Sequence, residues 1–437
     1  MGARRAGSHP ATAASRGRGL AVVGLVIAWS LLAPAVCGAQ AAQAQGDVPP
    51  QVFSLRGEEL LRARERIRAG DPLLKPAFEA LLRDAARALE AGPFSVTHKT
   101  RLLAPSGDRH DYLSLSPYWW PDPSRPDGLP YIRRDGETNP ESKRDLDQPR
   151  LADLGETVET LALAYFFTGE EAYARRAAYL LRVWFLDPET RMNPHLRFAQ
   201  LVMGRNEERG SGIIDGRPFI KIIDAIGLIR GSPSWTEEDQ RGMEEWFGAY
   251  LRWLQTSPNG EHELAARNNH GSWFDAQRAA LALFIGQRTL AREILEGVKM
   301  RRIDTQIAPD GRQPYELART RSLHYSGFNL EALGRLAEMA RHVDVNLWGY
   351  RSPTGGSLRA ALDYVAPYAD PRRKWPGQQI REEPPDLMLM NLRRARVALD
   401  DAKYAEYLRH IPSDVAGTHR SALLYPDRPN EGRGATR

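Results

Sequence analysis

LADLGETVETLALAYFFTGEEAYARRAAYLLRVWF, residues 151–185, decides the fold. Leu151–Phe167 places apolar side chains at every helical turn, and Glu170–Phe185 does so again. Only Thr168-Gly169 separates the two runs, and a glycine just past the last periodic residue is a helix stop. Two helices joined by so short a turn run antiparallel, as an αα-hairpin.

The same unit recurs on both sides. Phe219–Ile229 precedes Glu237–Leu254, with Thr236 in the N-cap position. Trp273–Ile285 and Leu290–Ile303 flank Gly286-Gln287. Leu323–Arg341, Leu358–Tyr368, Leu387–Leu399 and Ala402–Ile411 continue the series. Towards the N-terminus, Leu60–Ile67 stops at Gly70-Asp71-Pro72, and Leu73–Leu89 stops at Gly92-Pro93. Strand signals are scarce, and no repeat of fixed length marks a regular solenoid. Hydrophobic residues make up 42% of the 437, enough for a real core. The expectation is an all-α single domain of antiparallel helix pairs over residues 56–437. Residues 93–148 break the periodicity and are rich in Pro, Asp, Tyr and Trp. A long irregular stretch inside a compact domain is usually functional or disordered, and its aromatics argue against disorder.

The N-terminus reads as a targeting segment. Arg4, Arg5, Arg16 and Arg18 precede an apolar run, Leu20–Leu32, and small residues follow at Ala35, Gly38, Ala39, Ala41 and Ala42. That is the layout of a secretory signal peptide over residues 1–39, followed by a flexible leader over 40–55. The run is short for a membrane anchor, which needs about 20 apolar residues. A periplasmic or secreted protein with no stable membrane insertion after cleavage is expected. The single cysteine, Cys37, falls inside the signal, so the mature chain would hold neither disulfide nor thiol nucleophile. The balance of 60 basic and 55 acidic residues leaves a net charge of +5, spread along the chain. No Lys/Arg block points to nucleic acid, whereas an anionic polymer suits a mild positive bias.

Two constellations carry chemistry. Asn268-Asn269-His270 stands at a helix start, where amides and backbone N–H groups can receive a carboxylate. Further on comes Arg319-Thr320-Arg321-Ser322-Leu323-His324-Tyr325. A phenol titrates near ~10, so it needs adjacent positive charge to act as a base. Arg321 lies one helical turn before Tyr325, whereas Arg319 reaches it only from a preceding loop. A third signal, Tyr118-Trp119-Trp120 with Tyr131 nearby, offers aromatic faces for sugar rings. The paired acids Glu237-Glu238 and Glu382-Glu383 read as solvated helix starts and turns. There is no zinc-binding His-Glu-x-x-His, nucleophile elbow, phosphate loop or dinucleotide fingerprint.

Asn-Asn-His followed by Arg-x-Arg-x-Leu-x-Tyr resembles polysaccharide lyases of the alginate lyase superfamily, over about residues 95–380. The resemblance implies an (α/α) toroid or incomplete barrel, and an anionic polysaccharide as substrate. It implies cleavage of a β-linked uronic-acid polymer, glucuronan or alginate-like, by β-elimination, without cofactor or metal. Asn269 and His270 would neutralise the uronate carboxylate, helped by Arg319 or Arg321, with Arg319 ranked first. Tyr325 would move the proton at C5 and return one to the leaving oxygen, with His270 as the alternative base. Asn268, His324, Tyr118, Trp119, Trp120, Tyr131, His195 and Gln200 are the expected substrate contacts; the segments holding His195 and Gln200 also resemble the family. Trp375-Pro376-Gly377 is expected as a further cleft wall. The alternatives are an (α/α)-toroid glycoside hydrolase, which needs two carboxylates across the cleft, and a non-catalytic polysaccharide-binding protein.

Overall fold

The computed structural model describes residues 48–205 and 207–427. The expected signal peptide, Cys37 and the first part of the leader lie outside them. The main helices are α1 (Gly57–Arg68), α2 (Lys75–Ala88), α3 (Asp147–Thr168), α4 (Glu171–Leu181), α5 (Pro218–Ile229), α6 (Glu237–Thr256), α7 (Asn269–Phe284), α8 (Arg288–Val298), α9 (Ser322–Ala340), α10 (Leu358–Val365) and α11 (Leu389–Leu399). Every periodic run named above holds one of these, apart from Ala402–Ile411, which holds the short helix Lys403–Leu408.

The local reasons are those the sequence announced. Gly169 takes the left-handed conformation, φ 76°, and its N–H closes α3 on the Tyr165 carbonyl. Thr236 and Asp239 form a reciprocal capping box at the start of α6. Over Val158–Phe167 α3 is buried on all sides, as befits an inner helix. It packs on α5, α5 on α7, and α7 on α9, while α4, α6 and α8 pack outside them. One large apolar cluster runs through this double layer, and each fully buried Leu or Phe in it contributes about 1.5–3 kcal/mol. The outcome is an all-α toroid of helix pairs.

The aperiodic stretch is ordered. Strand β1 (Leu113–Leu115) pairs in parallel with β4 (Phe198–Leu201), and β2 (Trp119–Trp120) pairs antiparallel with β3 (Ile132–Arg133). A separate small core of Ala104, Leu113, Leu115, Leu146 and Phe198 holds it. The leader boundary also shifts, because Val52, Phe53, Ser54 and Leu55 are buried. Their backbone N–H groups at Phe53 and Ser54, and the Ser54 hydroxyl, donate to Asp224 of α5. Arg335 of α9 donates to Ser54, and Arg56 pairs with Glu338. Among the described residues no helix is long and apolar enough to cross a membrane.

Candidate active site

Helix α9 begins at an uncapped end. Arg321 just before it forms an isolated bridge with Gln379, and the Gln378 carbonyl accepts from Ser322 N–H. Arg319 therefore lies ahead of the helix, in the turn after the short helix Pro314–Leu317. From there its guanidinium reaches back over the Tyr325 ring, 3.6 Å from the centroid. It is fixed by two-pronged bonds to Asp135, 2.7–3.1 Å long, in the loop after β3. Asp135 also accepts from the backbone and hydroxyl of Thr320. Gly136 permits this approach: it has φ 78°, and a Cβ there would stand 2.5 Å from the Thr320 hydroxyl. Burial raises the Asp135 carboxyl, but the Arg319 and Thr320 bonds outweigh it and hold the group at about 2.

The Tyr325 hydroxyl donates to the Tyr118 hydroxyl at 2.7 Å. Tyr325 is buried and Tyr118 half-buried, so the pair leads from the interior towards solvent. Burial pushes the Tyr325 phenol well above its ordinary value, Tyr118 adds to this, and Arg319 opposes it. The resting group is thus a protonated phenol.

Arg321 goes elsewhere. Its guanidinium pairs with Glu383, and both side chains are almost fully buried. The expectation of Arg321 on the Tyr325 face fails because a buried carboxylate captures it. The expectation of a solvated Glu383 fails with it. His324 lies 3.4 Å from the same carboxylate and stacks on Phe328. Burial, then Arg321, pushes its imidazole down to about 4, so it is neutral.

Helix α7 begins at Asn269, with Asn268 as N-cap accepting from His270 N–H. Asn269 is buried, and its backbone and side-chain amides both donate to Glu316, at 2.6 and 2.7 Å. Its amide therefore faces an internal carboxylate, not an open cleft. Burial raises Glu316, against the Asn269 bonds and the charges of Arg319 and His270, so it lies between the two helix starts. His270 is half-buried, and its Nδ1 sits 2.7 Å from buried Glu263. That contact leaves Nε2 as the free ring nitrogen.

The remaining expected contacts divide. The Trp119 ring, an expected sugar contact, carries the guanidiniums of Arg205 and Arg209 at 4.7 and 5.3 Å. Trp120 carries Arg134 in the same way. The Tyr131 hydroxyl donates to Glu141, and burial and that bond push it up to about 12. Gln200, at φ 52°, donates its side-chain amide to buried Asp215. His195 faces Asp111 and Trp253. Trp375 is buried and donates to Ser322, so it braces the start of α9. Asp135, Glu263, Glu316 and Glu383 were not singled out as site residues from sequence. His262-Glu263 seven residues before His270, and Glu316 three before Arg319, were the available signals. Among the described residues no group of three or more His, Cys, Asp or Glu is placed to hold a metal ion.

A family model described as alginate lyase matches residues 95–375. A crystal structure of an alginate lyase from Bacteroides ovatus is 41% identical, covers 87% of this chain and 100% of its own, and superposes with a TM-score of 0.83. The chain belongs to the alginate lyase family. It is a polysaccharide lyase. Alginate lyase A1-III from Sphingomonas species A1 shares the fold at 17% identity, 84% and 95% coverage and a TM-score of 0.55. A histidine-to-alanine variant of A1-III complexed with a tetrasaccharide shares it at 16% identity, 88% and 99% coverage and a TM-score of 0.60. No curated protein matches the sequence. In this alginate lyase family member, Tyr325 presents its hydroxyl to Tyr118, and His270 holds Nδ1 against Glu263.

Proposed function

We propose that this lyase cleaves a β-linked polyuronate, glucuronan or an alginate-like polymer, by metal-independent β-elimination outside the cytoplasm. The observation that carries the reading is the Tyr325–Tyr118 hydroxyl pair with Arg319 against the Tyr325 ring. A uronate has an acidic C5–H beside its carboxylate and a leaving oxygen at C4. Removing that proton puts a second negative charge on the carboxylate, which His270 and the Asn268–His270 helix start stabilise. Tyr325 first passes its own proton to Tyr118, which releases its hydroxyl proton to solvent in the same step, and Arg319 stabilises the phenolate. It then takes the C5 proton and delivers it to the C4 oxygen. The products are an unsaturated uronate end and a shortened chain.

The Glu263–His270 contact favours a second route for substrates whose C5–H and C4–O lie on opposite faces. There His270 Nε2 takes the proton, and the protonated Tyr325 serves as acid. Bacteroides ovatus alginate lyase, named for alginate, supports a uronate substrate here as well. Export is supported by the pattern of residues 1–39.

The test is a panel of glucuronan, mannuronate-rich and guluronate-rich polymers, read by the ultraviolet absorbance of the unsaturated product. Absorbance growing on glucuronan or a mannuronate-rich polymer, and persisting after EDTA treatment, is the expected result. New reducing ends without absorbance would indicate hydrolysis and refute elimination. Activity lost to EDTA and restored by a divalent cation would refute the metal-free scheme.

A further inference from the structure

Two cations of the site, Arg319 and Arg321, each have a carboxylate partner. Arg217, the residue before α5, has none within ion-pair distance among the described residues. Its Nε–H donates to the Ile214 carbonyl at 3.1 Å. The guanidinium lies over Phe328 at 4.7 Å and over Trp273 at 5.5 Å. Phe328 in turn stands edge-on to Tyr325, with centroids 6.5 Å apart. Arg217 is thus one aromatic ring away from the phenol pair.

Arg217 and Trp273 line a cavity of about 230 Å³ among the inner helices, together with Glu156, Lys221, Glu331 and Arg335. The other two cations of its wall are spoken for: Lys221 pairs with Glu156 and Glu159, and Arg335 pairs with Glu331. The excess charge of the wall therefore rests on Arg217. A charge without a carboxylate partner is costly to enclose, and a ligand that supplies one recovers that cost.

We infer that this cavity binds one uronate unit of the polymer, next to the unit that Tyr325 deprotonates. Arg217 takes its carboxylate, and the Trp273 side chain forms part of the wall beside it. The inference rests on the polyuronate reading above. A guanidinium fork matches a carboxylate with two parallel hydrogen bonds, which a neutral sugar cannot supply. Arg217 is here a binding residue that sets the preference for charged over neutral units.

The test uses the full chain with Arg217→Gln and Arg217→Lys. KM for the polymer that the wild type cleaves should rise about 10-fold or more in Arg217→Gln, the scale of a lost charge-assisted bond. kcat should change less than KM, and the melting temperature should hold. Competition supplies the specific readout. A uronate oligosaccharide should inhibit the wild type far better than its carboxyl-reduced counterpart, and Arg217→Gln should treat the two alike. Wild-type KM with the carboxyl preference intact would overturn the inference and leave the function standing. Should Arg217→Gln not fold, Arg217→Lys decides, because an ammonium keeps the charge without the fork. A clear rise in KM supports the inference, and wild-type KM overturns it. A wild type inert on every polyuronate would remove the function itself, and the inference with it.

Discussion

The starts of α7 and α9 lie side by side and were built from similar materials, yet they use them in opposite ways. At α7 the amide of Asn269 turns inward to Glu316, and the neighbouring His270 keeps one ring nitrogen free. At α9 Arg321 turns inward to Glu383, and Arg319 in the loop before it covers Tyr325. In each case one polar residue is spent on a buried carboxylate, and the next is left able to react. The spent residue fixes the backbone; the other inherits a defined direction. Near neighbours in sequence thus divide into anchor and reagent, according to whether a carboxylate holds the polar group wholly inside or leaves one side of it free.

The largest expected effect tests the reagent at α9. Tyr325→Phe keeps the ring under Arg319 and should lower kcat by about 10²–10⁴-fold with the fold intact. Near-wild-type turnover in a folded sample would reverse the division. The matching test of the anchor is Arg321→Gln, which takes the guanidinium from buried Glu383 and leaves it only the Gln379 amide and the neutral His324. It should cost about 3–5 kcal/mol of stability in denaturant unfolding, whereas Arg319→Gln should lower turnover more than stability. If the two variants behaved alike, the contrast between them would be empty. At α7, Glu263→Gln removes the charge behind His270 and should raise the barrier by about 1.5–3 kcal/mol. Asn269→Ala should instead cost about 1–3 kcal/mol of stability, because Glu316 loses a donor. Measuring melting temperature and kcat on the same samples separates them.

The smallest effect is one of pH. The folded His324 titrates at about 4, below its ordinary 6.5, so on acidification the unfolded chain takes up this proton first. Its contribution is complete above pH 6.5 and is lost as pH falls from there towards about 4. Asp135, held at about 2 against an ordinary 3.8, loses its contribution only below that higher value. Melting curves of the wild type and His324→Asn should therefore diverge in slope between pH 4 and 6.5. Parallel curves across that range would show that His324 is not held neutral by the fold.

The helix pairs were legible because burial on one or both layers writes a period of 3.6 into the chain. Tyr325, His270 and Arg319 were legible because they are rare chemistry at recognisable spacings. Their partners were not. Asp135 lies 184 residues from Arg319, and Glu383 lies 62 from Arg321. A lone carboxylate in a loop looks the same whether it ends in water or under a guanidinium. The aromatic hairpin hides its partners for the same reason: Trp119 looks like a bare platform until Arg205 and Arg209 fold over it.

The buried segment Val52–Leu55 has a consequence for how the chain tolerates trimming. It acts as a buckle, joining α5 through Asp224 to α9 through Arg335, the helix that presents Tyr325. A protease that removes everything before Pro50 leaves the buckle fastened. One that cuts after Leu55 strips Asp224 of three hydrogen bonds and frees two helices of the ring at once. Activity then becomes a gauge of where N-terminal trimming stops, and a purification tag belongs upstream of that clasp with a spacer between them.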